Sequence, residues 1–242
     1  MIDLRRWLHT ATLLALAAGA ASAQIGVASG PANRPLACTA ESDTRFVRPE
    51  GYTELLGDIV ITCTGGPLLT AGSAVPTADI TIYVLPEVPL TSRIFDRATG
   101  LSEGLLSIDE PGAELATGVN GLYGPKAPES LCAVKAGCPA FAQLDRSSVY
   151  PVASSTATAG SNASNVYQGY VGVLSANSIT FYNVPVLPPV LQGVSRVFRI
   201  ANLRISAVGL PNPQSIATVV SVNPSRGPGG VKLTIPVTSR CP

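Results

Sequence analysis

The residues of this chain that could do chemistry are five cysteines and a scatter of carboxylates. The 242-residue sequence has one histidine, His9. That histidine lies in a segment with the features of a cleavable leader, so the mature protein has none. Ser-His-Asp and Cys-His nucleophile systems and the usual zinc hydrolases all need histidine. The sequence therefore excludes these enzyme classes.

The cysteines occupy positions that favour disulfides. In an exported chain, disulfide formation is the default state of cysteine. We predict that Cys132 and Cys138 close a small loop, and that Cys38 and Cys63 tie the N-terminal segment to a strand. Cys241 is then free or pairs between chains. The alternative, a zinc site, needs four clustered ligands, and the sequence offers neither a mature histidine nor a CxxC pair.

The carboxylates are spread singly through turns. A glycosidase needs two carboxyls about 5 to 9.5 Å apart, and Asp58, Asp96 and Glu103 are scattered candidates. Asp109 and Glu110 are adjacent, so in a strand they would point to opposite faces. We expect no catalytic site. A structural calcium ion held by Asp96, Asp109 and Glu110 is an open alternative, because loop oxygens suffice for calcium; otherwise we expect no cofactor.

Three tyrosines lie close in sequence and are the candidate ligand-contact aromatics. Tyr167, Tyr170 and Tyr182 fall on a predicted hairpin, and sugar-binding β-sandwich modules present surface aromatics in such places. Tyr167 and Tyr170 differ by three positions, so a regular strand sends them to opposite faces. Ordinary packing with the hydroxyl at the edge is the competing interpretation.

The N-terminal residues predict a secretory signal peptide. Arg5 and Arg6 precede an apolar run from 11 to 20, and Ala21-Ser22-Ala23 forms a small-x-small cleavage site. The apolar run is too short to span a bilayer of about 30 Å as a helix. We expect cleavage after residue 23 and a mature chain, without a membrane span, that is extracellular or at the cell surface, with the periplasm as an alternative.

The net charge and the composition limit the classes of partner that the chain can bind. The formal net charge is +1, and loss of Asp3, Arg5 and Arg6 with the leader brings it to zero. A neutral chain has no electrostatic footprint for nucleic acid. Its hydrophobic content is 46% and its charged content only 13%. This balance favours tight packing or self-association.

Strand patterns dominate the mature chain. Alternating apolar residues predict strands over 58–64, 79–85, 104–108, 166–174, 178–183, 196–208, 215–222 and 231–237. A turn is predicted at 109–112, and a slip in apolar phase predicts a bulge near Ala201-Asn202. Proline and glycine recur too often for long helices. We predict an all-β fold, an antiparallel β-sandwich of immunoglobulin-like or jelly-roll type.

The domain organisation follows from the strand-poor middle of the chain. After the signal peptide (1–23), residues 24–242 are predicted to form one β-sandwich domain with a loop-rich, partly disordered excursion at about 111–165. Each half alone would leave exposed sheet edges. The alternative is two small β domains that divide near 154–165, where a polar low-complexity stretch could serve as a linker.

Four stretches together resemble a group of uncharacterised exported bacterial proteins with β-sandwich-like domains. These stretches are residues 54–66 (ELLGDIVITCTGG), 80–85 with 91–93, 179–186 (ITFYNVPV) and 196–205 (RVFRIANLRI). The resemblance implies export and a β-rich fold, and it brings no catalytic residue or ligand.

These observations favour a non-enzymatic function. We expect an exported structural or adhesion-type protein that acts by surface contact with a protein partner or with itself. A carbohydrate-binding β-sandwich module, with a polysaccharide partner, is the first alternative. A carboxylate-only glycoside hydrolase is the second.

Overall fold

The computed structural model describes residues 35–43, 47–112, 127–144, 151–158, 163–210, 216–225 and 237–239. All of them belong to one compact unit that covers residues 31–242. The predicted signal peptide and Cys241 lie outside the described residues, and so do parts of the 111–165 excursion.

The described residues are organised as strands and connections, and none of them is helical. The strands are β1 Ala37–Ser42, β2 Glu54–Leu55, β3 Ile59–Thr64, β4 Thr77–Leu85, β5 Ile94–Asp96, β6 Leu101–Ile108, β7 Leu131–Cys132, β8 Phe141–Leu144, β9 Pro151–Ser154, β10 Val166–Val171, β11 Ser178–Pro185, β12 Ser195–Ala201, β13 Arg204–Ile205, β14 Ala217–Pro224 and β15 Val237–Ser239.

One large sheet dominates the architecture. It has 11 strands, in the order β14-β4-β11-β10-β6-β12-β3-β1-β15, with β5 added to β6 and β7 added to β10. The pairs β1–β15 and β7–β10 are parallel, and the others are antiparallel. The two ends of this order, β14 and β15, come close together in space, so the sheet nearly closes on itself.

The predicted all-β, mainly antiparallel class is confirmed. Its finer division into two stacked sheets, a sandwich, stays a prediction, because the hydrogen-bonded path runs from β14 to β15 without a break. Strands from before and after the 111–165 excursion are intermixed in this path. Two small sheets, β13-β2 and β8-β9, complete the described structure.

The core follows from strict alternation along the strands. In β3, Ile59, Ile61 and Cys63 are buried while their neighbours are partly exposed. Strand β6 alternates in the same way along all its residues. Burying one face of each curved strand removes apolar surface from water at about 25 cal/mol per Å². The largest fully buried apolar side chains come from five strands: Phe181, Phe198, Ile59, Ile61, Ile80, Ile82, Leu106, Ile108 and Ile179, with Leu187 from a loop.

Strands β10 and β11 are largely buried on both faces, and β4 also buries Thr81 on its second face. Part of the excursion covers their outer side: Tyr170 donates its hydroxyl to the carbonyl of Ala133, and the backbone N–H of Val75 donates to Ala140. The described part of the excursion also forms β7, β8 and β9, which the sequence analysis did not predict. Their shortness, two to four residues, gives too few alternations to detect.

Two strands were predicted too long, and the strand predicted over 104–108 begins three residues earlier, at Leu101. The strand predicted over 166–174 ends at Val171 because Gly172 has a left-handed φ of 75°. The strand predicted over 196–208 is two strands in different sheets, since Asn202 adopts φ 62° between β12 and β13. The phase slip at Ala201-Asn202 therefore marks a break in the strand instead of a bulge.

Candidate functional site

Both predicted cysteine pairs lie at disulfide distance. The Cys38–Cys63 bond joins directly opposite residues of β1 and β3, and the Cα atoms of Cys132 and Cys138 are 5.9 Å apart. The first bond fastens the N-terminal strand to the sheet. The second holds a short, exposed loop against β10, since Cys132 pairs with Tyr167 in register.

The three tyrosines are brought near one another, and two of them are buried. Tyr167 is 2% exposed and Tyr170 is 5% exposed, and burial raises the pKa of Tyr170. Tyr170 packs edge to face on Tyr182, with ring centroids 5.5 Å apart. The ammonium of Lys135 lies 4.6 Å from the ring centroid of Tyr182. Of the three, Tyr182 keeps the most accessible surface for a ligand, and Lys135 lies over its ring.

Asp109 and Glu110 lie in the turn after β6 and diverge. Both adopt a left-handed backbone, φ 56° and 50°, and the side chains point to different faces of the neighbouring strand β12. Asp109 pairs with the buried Arg196 and accepts the N–H of Val197 at 2.8 Å. Burial raises the pKa of Asp109, and the Arg196 guanidinium opposes that rise. The turn predicted at 109–112 is therefore fixed by an internal ion pair.

Glu110 and Asp58 share one arginine on the partly exposed face. Arg199 pairs with Glu110, and its second contact joins Nη1 to the Asp58 carboxylate at 3.3 Å. The hydrogen bond to Glu110 is the largest influence raising the pKa of Arg199. Because the guanidinium lies between the two carboxylates, each of them is held as the partner of a cation.

The remaining candidate carboxylates also have structural partners. Glu103 accepts the N–H of Arg93 at 3.0 Å and the Nε of Arg204 at 3.2 Å. Asp96 accepts the N–H of Ala98 and the hydroxyl of Thr99, and the Thr99 bond leads the causes that lower the pKa of Asp96.

The residues considered for calcium do not converge. Asp96 precedes β6 and the pair Asp109-Glu110 follows it, so the eight-residue strand separates them by about 25 Å. In the parts of the chain that the structure describes, no three His, Cys, Asp or Glu side chains form a group that could hold a metal ion.

One end of the large sheet gathers exposed apolar side chains. Three connections meet there: residues 84–90, which include the last two residues of β4; 93–100, which comprise β5 and the turn to β6; and 172–177 between β10 and β11. The register brings them together, because Tyr170 pairs with Leu101 and Ser178 pairs with Tyr83. Backbone bonds then link the connections, from Val171 to Gly100 at 2.8 Å and from Leu90 to Ala176 at 2.9 Å.

We call this region the apolar turn end and define it by five side chains that are 39% to 60% exposed: Leu85, Ile94, Phe95, Val173 and Leu174. They rise from all three connections. Exposed apolar residues scattered singly are ordinary, whereas a group at one end of a molecule is typical of an interaction surface. The arrangement can bind an apolar partner surface without any reacting group.

Sequence reasoning missed two features that had a signal. Arg196 shares the inward phase of Phe198 and Ile200 along β12, so strand parity alone places it in the core and implies a buried anion. The pair Ile94-Phe95 stands between Arg93 and Asp96 just before a turn, where polar residues are usual. That local violation pointed to the apolar turn end.

Comparison with known proteins adds no relative: no family model, curated protein or solved structure matches this chain. The described residues contain no helix that is long and apolar enough to cross a membrane.

Proposed function

We propose that the protein is a non-enzymatic, exported structural or adhesion-type protein that acts by surface contact. The apolar turn end is the observation that carries this proposal. Five large apolar side chains, collected from three connections, stay accessible at one end of the large sheet. The other exposed large apolar side chains of the described residues come from other segments: Tyr52, Leu68, Leu131, Val134, Val208 and Val219. Exposing the five side chains of the apolar turn end costs solvation free energy that contact with a partner recovers.

Export is part of the proposal and has two supports. The N-terminal leader pattern predicts secretion with a mature start at Gln24. The two disulfides fit an oxidising compartment outside the cytoplasm.

The structural partners of the carboxylates favour a binding function over glycoside hydrolysis. Four of the candidate acids form ion pairs with arginines: Asp109 with Arg196, Glu110 and Asp58 with Arg199, and Glu103 with Arg204. The fifth, Asp96, accepts hydrogen bonds within its own turn. A glycosidase instead needs two carboxyls free to exchange protons with substrate across a gap. Asp58 and Glu110 are the pair to test, because one arginine brings them together.

The test compares the mature protein with two double variants. Beads coated with wild-type protein should adhere to the surface of the cells that export it, and F95S/L174S beads should lose most of that adhesion. D58N/E110Q beads should adhere as well as wild type. Circular dichroism of each variant confirms an intact fold.

Two results would overturn the contact function. The first is release of reducing ends from a polysaccharide panel that D58N or E110Q abolishes, which would make the protein a hydrolase. The second is saturable binding on a glycan array that Tyr182→Ala removes and F95S/L174S leaves unchanged, which would make it a carbohydrate-binding module.

A further inference from the structure

We propose that the apolar turn end is a self-association surface and that its partner is a second copy of this chain. The inference rests on the contact function proposed above and names the partner. Two properties of the surface carry it: the exposure of its apolar side chains and the balance of charge around them.

The charged residues of the three connections cancel. Connection 84–90 contributes Glu87, connection 93–100 contributes Arg93, Asp96 and Arg97, and connection 172–177 contributes none. All four side chains are exposed, and two cations plus two anions give a local net charge of zero. A surface for nucleic acid or anionic lipid would instead carry a net positive charge.

A surface that carries both signs of charge is compatible with binding to the same surface of a second copy. In a two-fold symmetric dimer the same patch is present on both sides, so a patch of one sign repels its copy. A patch that holds both signs can place each cation against an anion of the other copy. The apolar side chains then supply the burial, and the charges set the relative orientation.

The β5–β6 turn is ordered before any partner arrives. The Asp96 carboxylate accepts the N–H of Ala98 at 2.9 Å and the hydroxyl of Thr99 at 2.7 Å, and Gly100 donates to the Asp96 carbonyl at 2.9 Å. The Arg93 guanidinium lies 5.5 Å from the ring centroid of Phe95. Groups that are already held lose less conformational entropy on binding.

Charge reversal gives a test that does not depend on the detailed contacts. Glu87→Arg takes the local charge from zero to +2, and Arg97→Glu takes it to −2. Each variant alone should repel its own copy, so its dimerisation constant should fall about tenfold or more. An equimolar mixture of the two should recover association to within about threefold of wild type, because the two patches are now opposite in charge.

The measurement is sedimentation velocity of the mature protein over a concentration series, with native mass spectrometry to identify the mixed dimer. F95S/L174S should also dissociate the dimer, by removing the apolar contact. Two controls carry matched changes elsewhere: Glu41→Arg on the exposed face of β1, and L131S/V134S on the disulfide-closed loop. Both should dimerise like wild type.

The outcomes separate the two proposals. A mixed dimer of Glu87→Arg with Arg97→Glu, with weakened single variants, supports self-association. A wild-type protein that is monomeric at every concentration while its beads still adhere to cells overturns the second copy as partner and leaves the contact function standing. If Glu87→Arg, Arg97→Glu and F95S/L174S all dimerise like wild type, the apolar turn end is not the dimer interface.

Discussion

At the scale of single residues, a buried ion pair of this protein joins elements of the fold. Arg196 is the largest fully buried side chain among the described residues, and its Nε donates to the Leu187 carbonyl at 3.0 Å while it pairs with Asp109. A buried arginine therefore ties β12 both to the turn after β6 and to the loop that carries Leu187. Breaking such a pair costs more than its net contribution, because one charge remains buried alone.

We expect Arg196→Met to destabilise the protein by about 3 kcal/mol at neutral pH, since it leaves the Asp109 carboxylate buried without its cation. Loss of the guanidinium also removes the attraction that opposes the raised pKa of Asp109. A carboxyl with a folded pKa above its unfolded value binds its proton more tightly in the folded state. The variant should therefore regain stability as pH falls through that raised pKa toward about 4.

Urea unfolding at a series of pH values measures this effect. Arg199→Met is the matched control: that side chain is 37% exposed, and loss of surface ion pairs costs about 1 kcal/mol or less. Equal losses for the two variants, or an Arg196→Met variant that weakens further on mild acidification, would contradict the assigned roles.

At the scale of elements, one end of the large sheet depends on a close approach between the β5–β6 turn and the last residue of β10. Gly100 has φ 79°, and a Cβ on it would meet the Val171 carbonyl oxygen closer than real Cβ atoms approach. Gly172 has a similar φ of 75°, yet its surroundings within 4 Å are empty. Both glycines therefore need a left-handed backbone, but only Gly100 lies against a neighbouring carbonyl.

Substituting each glycine by alanine separates these effects. Gly172→Ala should cost about 1 kcal/mol, the penalty for a left-handed residue with a Cβ. Gly100→Ala should cost about 1 to 3 kcal/mol more, because the strands must move apart to admit the methyl group. Thermal or urea unfolding of the pair checks the difference, and equal costs would show that the Gly100–Val171 approach is unimportant to stability.

Elements also show how far sequence reasoning reaches. Strands with several alternations were predicted within one or two residues at most of their ends, as for β3, β4 and β11. The 196–208 prediction failed because alternation does not reveal that Asn202 turns left-handed and sends β13 to another sheet. The apolar turn end combines two neighbouring connections, 84–90 and 93–100, with a distant one, 172–177, so only strand register could bring all three together.

At the scale of the whole molecule, the large sheet joins parts of the chain that are distant in sequence. Strand β1 lies between β3 and β15, so the start and the end of the described chain are neighbours in the sheet. The Cys38–Cys63 bond fixes β1 to β3 across 25 residues, while Cys132–Cys138 spans only six. The first bond thus stabilises the position of β1, next to the last strand of the order, and the second stabilises a local loop.

We expect C38A/C63A to lower the free energy of unfolding by about 3.5 kcal/mol, and C132A/C138A by about 2 kcal/mol, from the loop-closure entropy each bond removes from the unfolded chain. Both cysteines of the first pair are 2% exposed, whereas in the second pair Cys132 is buried and Cys138 only half-buried. Replacement by the smaller alanine therefore adds a packing loss that is larger in the first pair.

The comparison uses urea unfolding of the two double variants and wild type under oxidising conditions, with mass spectrometry confirming the bond that remains in each variant. Wild type measured with a reductant should approach the sum of the two losses, because the bonds lie in separate parts of the fold. A smaller loss for C38A/C63A than for C132A/C138A would show that β1 holds its place in the sheet without the bond, and that the large sheet is stabilised by its strand pairing alone.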